Sequence, residues 1–188
     1  MNKRQLRLTY NQKRQELTEE RYCELNDKIK ALFFQQFSLF SGKTVHSFLP
    51  VKKRKEVDTW PIISELSKVG ATVTVPRAHI DVLQLTSHLY HDQILLEENE
   101  WGVPEPTDND TVPADAIDLA LLPLLSFDER GYRVGYGKGF YDHFLCQCRP
   151  DILKIGLSFF PPVRQIIDVD EFDVRMDFCI TPNKVYSF

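Results

Sequence analysis

A chain of 188 residues, 43% hydrophobic and 27% charged, is long enough to bury one substantial core, and its composition excludes a disordered or fibrous polymer. A net charge of −4 with a pI near 5.7 argues against nucleic acid as the main partner, so any anion site has to be local. Cys23, Cys146, Cys148 and Cys179 form neither a paired CxxC zinc arrangement nor a secreted disulfide scaffold, and no apolar run has signal-peptide or membrane-spanning form; the expectation is a reduced, cytoplasmic chain with no membrane partner.

No internal repeat is present, so alternating helix-like and strand-like segments carry the next signal. Residues 2–16 have a helical pattern. A second helix is expected over 19–38, capped by Thr18, with Leu25, Ile29, Leu32, Phe33 and Phe37 on its apolar side. A strand over 44–49 is followed by a helix over 58–68, which Gly70 closes in the position of a C-terminal cap. Residues 73–75 read as a strand stopped by Pro76, and 82–86 as another. The polar region 97–114, with Pro104, Pro106 and Pro113, reads as a long loop. Residues 119–123 are continuously apolar, as in a central parallel strand covered on both faces. Ligands in such sheets bind beyond the carboxyl ends of the strands, and 126–139 lies immediately beyond this one. A helix over 140–148 and strands over 153–158 and 178–181 complete an α/β fold. The expectation is a single domain over 1–188, with a mostly parallel sheet flanked by helices and two N-terminal helices.

The densest chemical information lies in Arg133-Val134-Gly135-Tyr136-Gly137-Lys138-Gly139-Phe140-Tyr141-Asp142. Alternate glycines tolerate positive φ and close approach, so successive N–H groups can turn toward one anion. A helix beginning near Phe140 adds its unpaired amides, with Lys138 and Arg133 to neutralise charge. Asp142 offers a hard oxygen to a Mg²⁺ held mostly by nucleotide oxygens and water. The spacing is neither a Walker A loop, because Gly139 follows Lys138, nor a dinucleotide fingerprint, because position 140 is Phe. Taken alone, a Gly-x-Gly-x-Gly run reads more readily as a surface turn. Lys3 and Arg7, four apart, share one helix face. His88, His91 and His143 lack a supporting carboxylate pattern and are not assigned to a metal.

Residues 123–142, read as Pro-Leu-Leu-Ser-Phe-Asp-Glu-Arg-Gly-Tyr-Arg-Val-Gly-Tyr-Gly-Lys-Gly-Phe-Tyr-Asp, resemble the signature of the 5-formyltetrahydrofolate cyclo-ligase family, also called methenyltetrahydrofolate synthetase. Lys3 and Arg7, Glu56-Val57-Asp58-Thr59, Trp101-Gly102-Val103-Pro104-Glu105-Pro106 and the Asp173/Asp177 pair follow in the family's order over nearly the whole chain. The resemblance implies that Lys3, Arg7 and residues 133–141 contact ATP. It also implies that Leu49, Glu56, Trp101, Tyr136 and Tyr141 border the folate, and that Asp142 and Asp173 hold Mg²⁺, with Asp177 unassigned.

The implied reaction is closure of 5-formyltetrahydrofolate to 5,10-methenyltetrahydrofolate. The formyl oxygen takes the γ-phosphoryl group of ATP to give an iminium phosphate; N10 then closes the ring and phosphate leaves. Lys138 and Arg133 would stabilise the transferred group, and no covalent enzyme nucleophile is required. Two departures from the family stand out. Phe140 replaces a frequent Tyr, removing a hydroxyl. The Lys52-Lys53-Arg54-Lys55 run lengthens the connection before Glu56; it reads as a solvated loop, with attraction of a polyglutamate tail as the sharper alternative. A non-catalytic folate- or nucleotide-binding paralogue is the competing reading, and a sugar-phosphate isomerase or acyl-CoA transferase on a related fold is a third. Nothing in the sequence demands more than a monomer.

Overall fold

The computed structural model describes residues 1–188. Its first two helices begin where polar side chains receive their free amides. Asn2 and Gln5 form a capping box at the head of α1 (Lys3–Gln15), and Thr18 accepts the Arg21 N–H at 3.2 Å at the head of α2 (Glu19–Gln36), supplying partners that the helices lack internally. Leu25, Ile29 and Phe33 recur every fourth residue along α2 and are buried in the principal core, where leaving water stabilises each by about 1.5–3 kcal/mol. Pro61 sits in the first turn of α3 (Trp60–Lys68), and Gly70, at φ +83°, ends it.

The strands in chain order are β1 (Thr44–Ser47), β2 (Thr72–His79), β3 (Gln84–Leu89), β4 (Leu96–Glu98), β5 (Pro104–Pro106) and β6 (Thr111–Val112). They continue with β7 (Leu119–Pro123), β8 (Ser126–Phe127), β9 (Arg133–Val134), β10 (Leu153–Leu157), β11 (Phe178–Ile180) and β12 (Val185–Ser187), with α4 (Phe140–Gln147) between β9 and β10. Eight form one sheet in the order β12-β11-β10-β7-β1-β2-β3-β6. The run β11-β10-β7-β1-β2 is parallel, and the outer strands β12, β3 and β6 pair antiparallel. The mostly parallel single-domain α/β reading, with two helices in front, therefore stands.

β7 lies between β10 and β1, and its side chains alternate between two cores. Leu119 and Leu121 join the core covered by α2 and α3, while Ala120 and Leu122 join a second core with Phe144 and Leu145 of α4. A third, smaller cluster places Leu6 and Tyr10 of α1 against Leu125, Val134 and Ile166. Thus α1 covers the segment just beyond the carboxyl end of β7, not the face of the sheet.

Several expected boundaries shift. β1 ends at Ser47, and Phe48 and Leu49 continue past it. β2 runs through Pro76 to His79. Proline is tolerated there because β1 pairs only with Thr72–Thr74, so the missing donor breaks no ladder bond. The strand expected over 82–86 starts at Gln84 instead, after a short 3-10 turn closed by Leu83 at φ +51°. The expected loop 97–114 carries a hairpin of β4 and β5 and the edge strand β6. Arg77 anchors that region by donating to the Pro106 and Asp108 carbonyls and, at 3.2 Å, to Asn109 Oδ1.

Candidate active site

The glycine loop is delivered by a locked hairpin. Asp128, fully buried, accepts the Arg130 and Tyr132 amides at 3.0 and 3.1 Å on Oδ1. Its Oδ2 takes the Ile166 amide at 3.1 Å and two bonds from the Arg130 guanidinium. β8 and β9 therefore leave the turn in a fixed direction, and the chain passes from Val134 directly into Gly135-Tyr136-Gly137-Lys138-Gly139. Gly137 has φ +91° and Gly139 φ +76°, backbone that favours glycine. Gly139 precedes α4 with no side-chain cap, leaving the first-turn amides available to an anion.

This loop forms one wall of a cleft of about 470 Å³. The lining includes every expected site residue except Val134, whose side chain is buried against Leu6 and Tyr10. α1 underlies the loop. Arg7 donates from Nε to the Gly135 carbonyl at 2.9 Å. Its guanidinium lies where a Cβ on Gly137 would approach it to 3.0 Å, so absence of a side chain lets a cation sit directly beneath the loop. Lys138 is exposed, with its ammonium 5.6 Å from the centroid of the Trp101 ring. Arg133 is buried and committed: it donates to the Val174 carbonyl at 2.6 Å and to Asp142 Oδ1 at 2.8 Å.

The expected metal carboxylates already have protein partners. Asp142 Oδ1 also accepts the Val174 amide at 3.0 Å, while Oδ2 takes part in neither bond. Asp173 receives Lys3 Nζ on both oxygens at 2.8 and 2.6 Å, and Asp170 receives the same ammonium at 3.3 Å. No three His, Cys, Asp or Glu side chains converge as a ready cage. Asp142 Oδ2 is the oxygen free of these bonds, and one carboxylate suffices for a Mg²⁺ that keeps waters and takes nucleotide oxygens; Asp173 would join it only on release of Lys3. Asp177 has a different task, accepting the Lys154 amide at 2.8 Å and its ammonium at 2.9 Å.

The opposite wall is more apolar. Leu49 is 2% and Glu56 4% exposed, and Glu56 Oε2 accepts the Val51 amide at 2.8 Å. Burial, and then the Glu56 charge, push the phenols of Tyr136 and Tyr141 well above the ordinary tyrosine range. The Tyr141 hydroxyl is buried without a hydrogen-bond partner, an orphan that a ligand donor or acceptor would satisfy. Trp101, on the β4–β5 connection, packs 6.0 Å from Phe140 between ring centroids.

Sequence reasoning left several lining residues unassigned. Arg54 holds the Trp101 carbonyl at 2.9 Å and places its guanidinium 5.0 Å over the Tyr136 ring; its signal was hidden within a run of four cations. Asn99 accepts the Trp101 and Val103 amides at 2.9 and 3.1 Å. Glu105 accepts the Ala78 amide and the Asn99 side-chain N–H, both at 2.9 Å. Asn99 precedes the Trp101 motif and Glu105 lies within it.

The model of the 5-formyltetrahydrofolate cyclo-ligase family matches residues 1–182. A 5-formyltetrahydrofolate cyclo-ligase of Escherichia coli (strain K12) is 29% identical over 181 residues, covering 94% of this chain and 98% of that enzyme. The enzyme of the same name from Mus musculus is 32% identical over 152 residues, covering 73% of this chain and 72% of its own. The solved structure of 5,10-methenyltetrahydrofolate synthetase from Aquifex aeolicus superposes with a TM-score of 0.82 at 27% identity, over 100% of this chain and 93% of that one.

Proposed function

The chain belongs to the 5-formyltetrahydrofolate cyclo-ligase family, and on that premise we propose that its cleft closes 5-formyltetrahydrofolate to 5,10-methenyltetrahydrofolate at the expense of ATP. The observation that carries this reading is the meeting, in one cleft, of an amide-rich glycine loop backed by Arg7 with a wall bearing buried Glu56, Leu49 and Trp101. A phosphate site and a flat-ligand site thereby share a border at Tyr136.

The formyl oxygen forms a bond to the γ-phosphorus as the bond to ADP breaks. N10 then attacks the formyl carbon, the carbon–oxygen bond breaks, inorganic phosphate leaves and N10 loses its proton. The loop amides and the first turn of α4 bind the phosphates, and Lys3, Arg7, Lys138 and Arg133 balance their charge. Mg²⁺, held by Asp142 and, on release of Lys3, by Asp173, would screen the phosphates and favour departure of ADP. Glu56 accepts hydrogen bonds from pterin N–H groups and Trp101 covers the ring, which orients N10 toward the formyl carbon.

Four free cysteines and the absence of any helix long and apolar enough to cross a membrane are compatible with a cytoplasmic setting. The exposed Lys52 and Lys53 precede Arg54 at the edge of the cleft, which supports preference for a polyglutamylated substrate.

The test incubates protein, 5-formyltetrahydrofolate and Mg²⁺ with and without ATP, following methenyltetrahydrofolate absorbance and phosphate release. Equal, ATP-dependent formation of both is expected. Binding of either ligand without product would favour a non-catalytic binding module and overturn the proposal.

A further inference from the structure

Arg14 takes no part in the reaction just described, yet it is 3% exposed, a costly place for a charge. No carboxylate receives it. Its Nη1 donates to the Tyr136 hydroxyl at 3.0 Å, its Nη2 donates to the Leu124 carbonyl, and its Nε has no partner. A neutral side chain would satisfy one carbonyl at lower cost. A buried guanidinium makes physical sense if the group it orients matters more than the bond itself.

That group sits at the border of the two halves of the cleft. Tyr136 lies between Gly135 and Gly137, in backbone that glycine leaves free to move, so its position has to be imposed from outside the loop. Arg14 imposes it at the hydroxyl, from α1, and Arg54 imposes it at the ring face while also holding the Trp101 carbonyl. An N–H donated to the Tyr136 oxygen fixes that oxygen as acceptor and leaves its own proton to be donated elsewhere. Burial and the nearby Glu56 charge keep the phenol protonated, so the proton remains available. Lys3, Arg7 and Arg14 extend along one stripe of α1: Lys3 is directed at the Asp170 and Asp173 carboxylates, Arg7 at the glycine loop, and Arg14 at the Tyr136 hydroxyl on the folate side.

We propose that Arg14 is a positioning residue for the folate, acting through the Tyr136 hydroxyl to set Tyr136 against Glu56. The inference rests on the function proposed above. Loss of the guanidinium therefore impairs capture of 5-formyltetrahydrofolate more than capture of ATP.

The test is a double-mutant cycle of Arg14→Met and Tyr136→Phe in the full chain, measuring kcat/KM for each substrate and the melting temperature. Each single variant is expected to lower kcat/KM for the folate on the order of tenfold, as loss of a hydrogen bond to a charged group does. The double variant should fall by no more than the worse single one, because both remove the same interaction. Multiplying effects, unchanged folate kinetics, or a lowered melting temperature with equal losses for both substrates would each overturn the proposal. If Arg14→Met does not fold, Arg14→Lys takes its place: its effect should vanish in the Tyr136→Phe background, and persistence there refutes the coupling. Absence of turnover in the wild-type protein would instead refute the reaction itself, and the cycle is then read in folate binding measured by calorimetry.

Discussion

Replacing Gly137 by alanine tests the glycine loop at its tightest point. At φ +91° a side chain costs about 1–2 kcal/mol in backbone strain, and no movement of neighbours relieves it. For a chain of this size that strain lowers Tm by roughly 2–8 °C. The new Cβ would also stand 3.0 Å from Arg7 Cζ and 3.2 Å from Nε, so the guanidinium has to give by a few tenths of an ångström. That displacement weakens its 2.9 Å bond to the Gly135 carbonyl, a charge-assisted interaction worth about 1.5–3 kcal/mol when intact. Because Arg7 is read as a phosphate ligand, that displacement should appear as lower kcat/KM for ATP, with a ceiling of roughly 10- to 150-fold for forfeiture of the whole bond. The control is Gly135→Ala, which has no neighbour within 4 Å and no positive φ; its stability should change by no more than about 0.5 kcal/mol. Melting curves and ATP-dependent kinetics separate the two parts. If Gly137→Ala melts with the wild type, or Gly135→Ala is equally damaging, the steric argument fails. If Gly137→Ala still lowers kcat/KM in an Arg7→Ala background, the loss does not travel through Arg7.

Three further outcomes are expected. Lys138→Ala should mainly lower kcat, since its ammonium is assigned to charge on the transferred phosphoryl group; a large rise in KM for ATP with kcat intact would contradict that role. His46 is wholly buried between Thr74 and Ser87, and burial drives its imidazole down to about 3. The unfolded chain therefore gains a proton near pH 6.5 that the folded chain refuses, so stability present above that pH is lost as pH falls toward 3, by about 2 kcal/mol at pH 5. His88, also lowered by burial, acts in the same direction. A Tm that stays flat between pH 7 and 5 would sink this assignment. Charge reversal at Lys52 and Lys53 should abolish any preference for polyglutamylated over monoglutamylated substrate while sparing turnover of the latter; an unchanged preference would refute a tail-binding role. Lys55 is a poor target, because its ammonium is held by the Gln15 and Leu17 carbonyls.

The parts of the fold that sequence revealed are those governed by local rules. The cap at Thr18, the apolar spacing of Leu25, Ile29 and Phe33, and the unbroken apolar run of β7 each express a periodicity or a short-range bond. Pro76 misled because its effect depends on where β1 ends, a fact of sheet register that no window of neighbouring residues contains. The hairpin of β4 and β5 was missed for a related reason: its order is maintained by Asn99, Glu105 and the distant Arg77, not by alternating apolar residues. Within the site, glycine spacing and charge drew attention to residues 133–142 but, taken alone, read more readily as a surface turn; the family resemblance supplied their role. Arg14 was invisible because buried arginine next to a phenol has no pattern along the chain; only docking of α1 brings them together.

That docking has a consequence for how the molecule is made. Arg14 meets Leu124 across 110 residues, and Lys3 meets Asp173 across 170. At translation speeds of roughly 5–20 residues per second, the first partner emerges about 6–22 s after Arg14 and the second about 9–34 s after Lys3. The opening segment can coil early, but its cationic stripe must wait beside the growing polypeptide until most of the molecule has been synthesised. Assembly of the catalytic centre is thereby deferred to the closing stages of biogenesis, and a ribosome stalled before that point would carry a nascent chain unable to complete it.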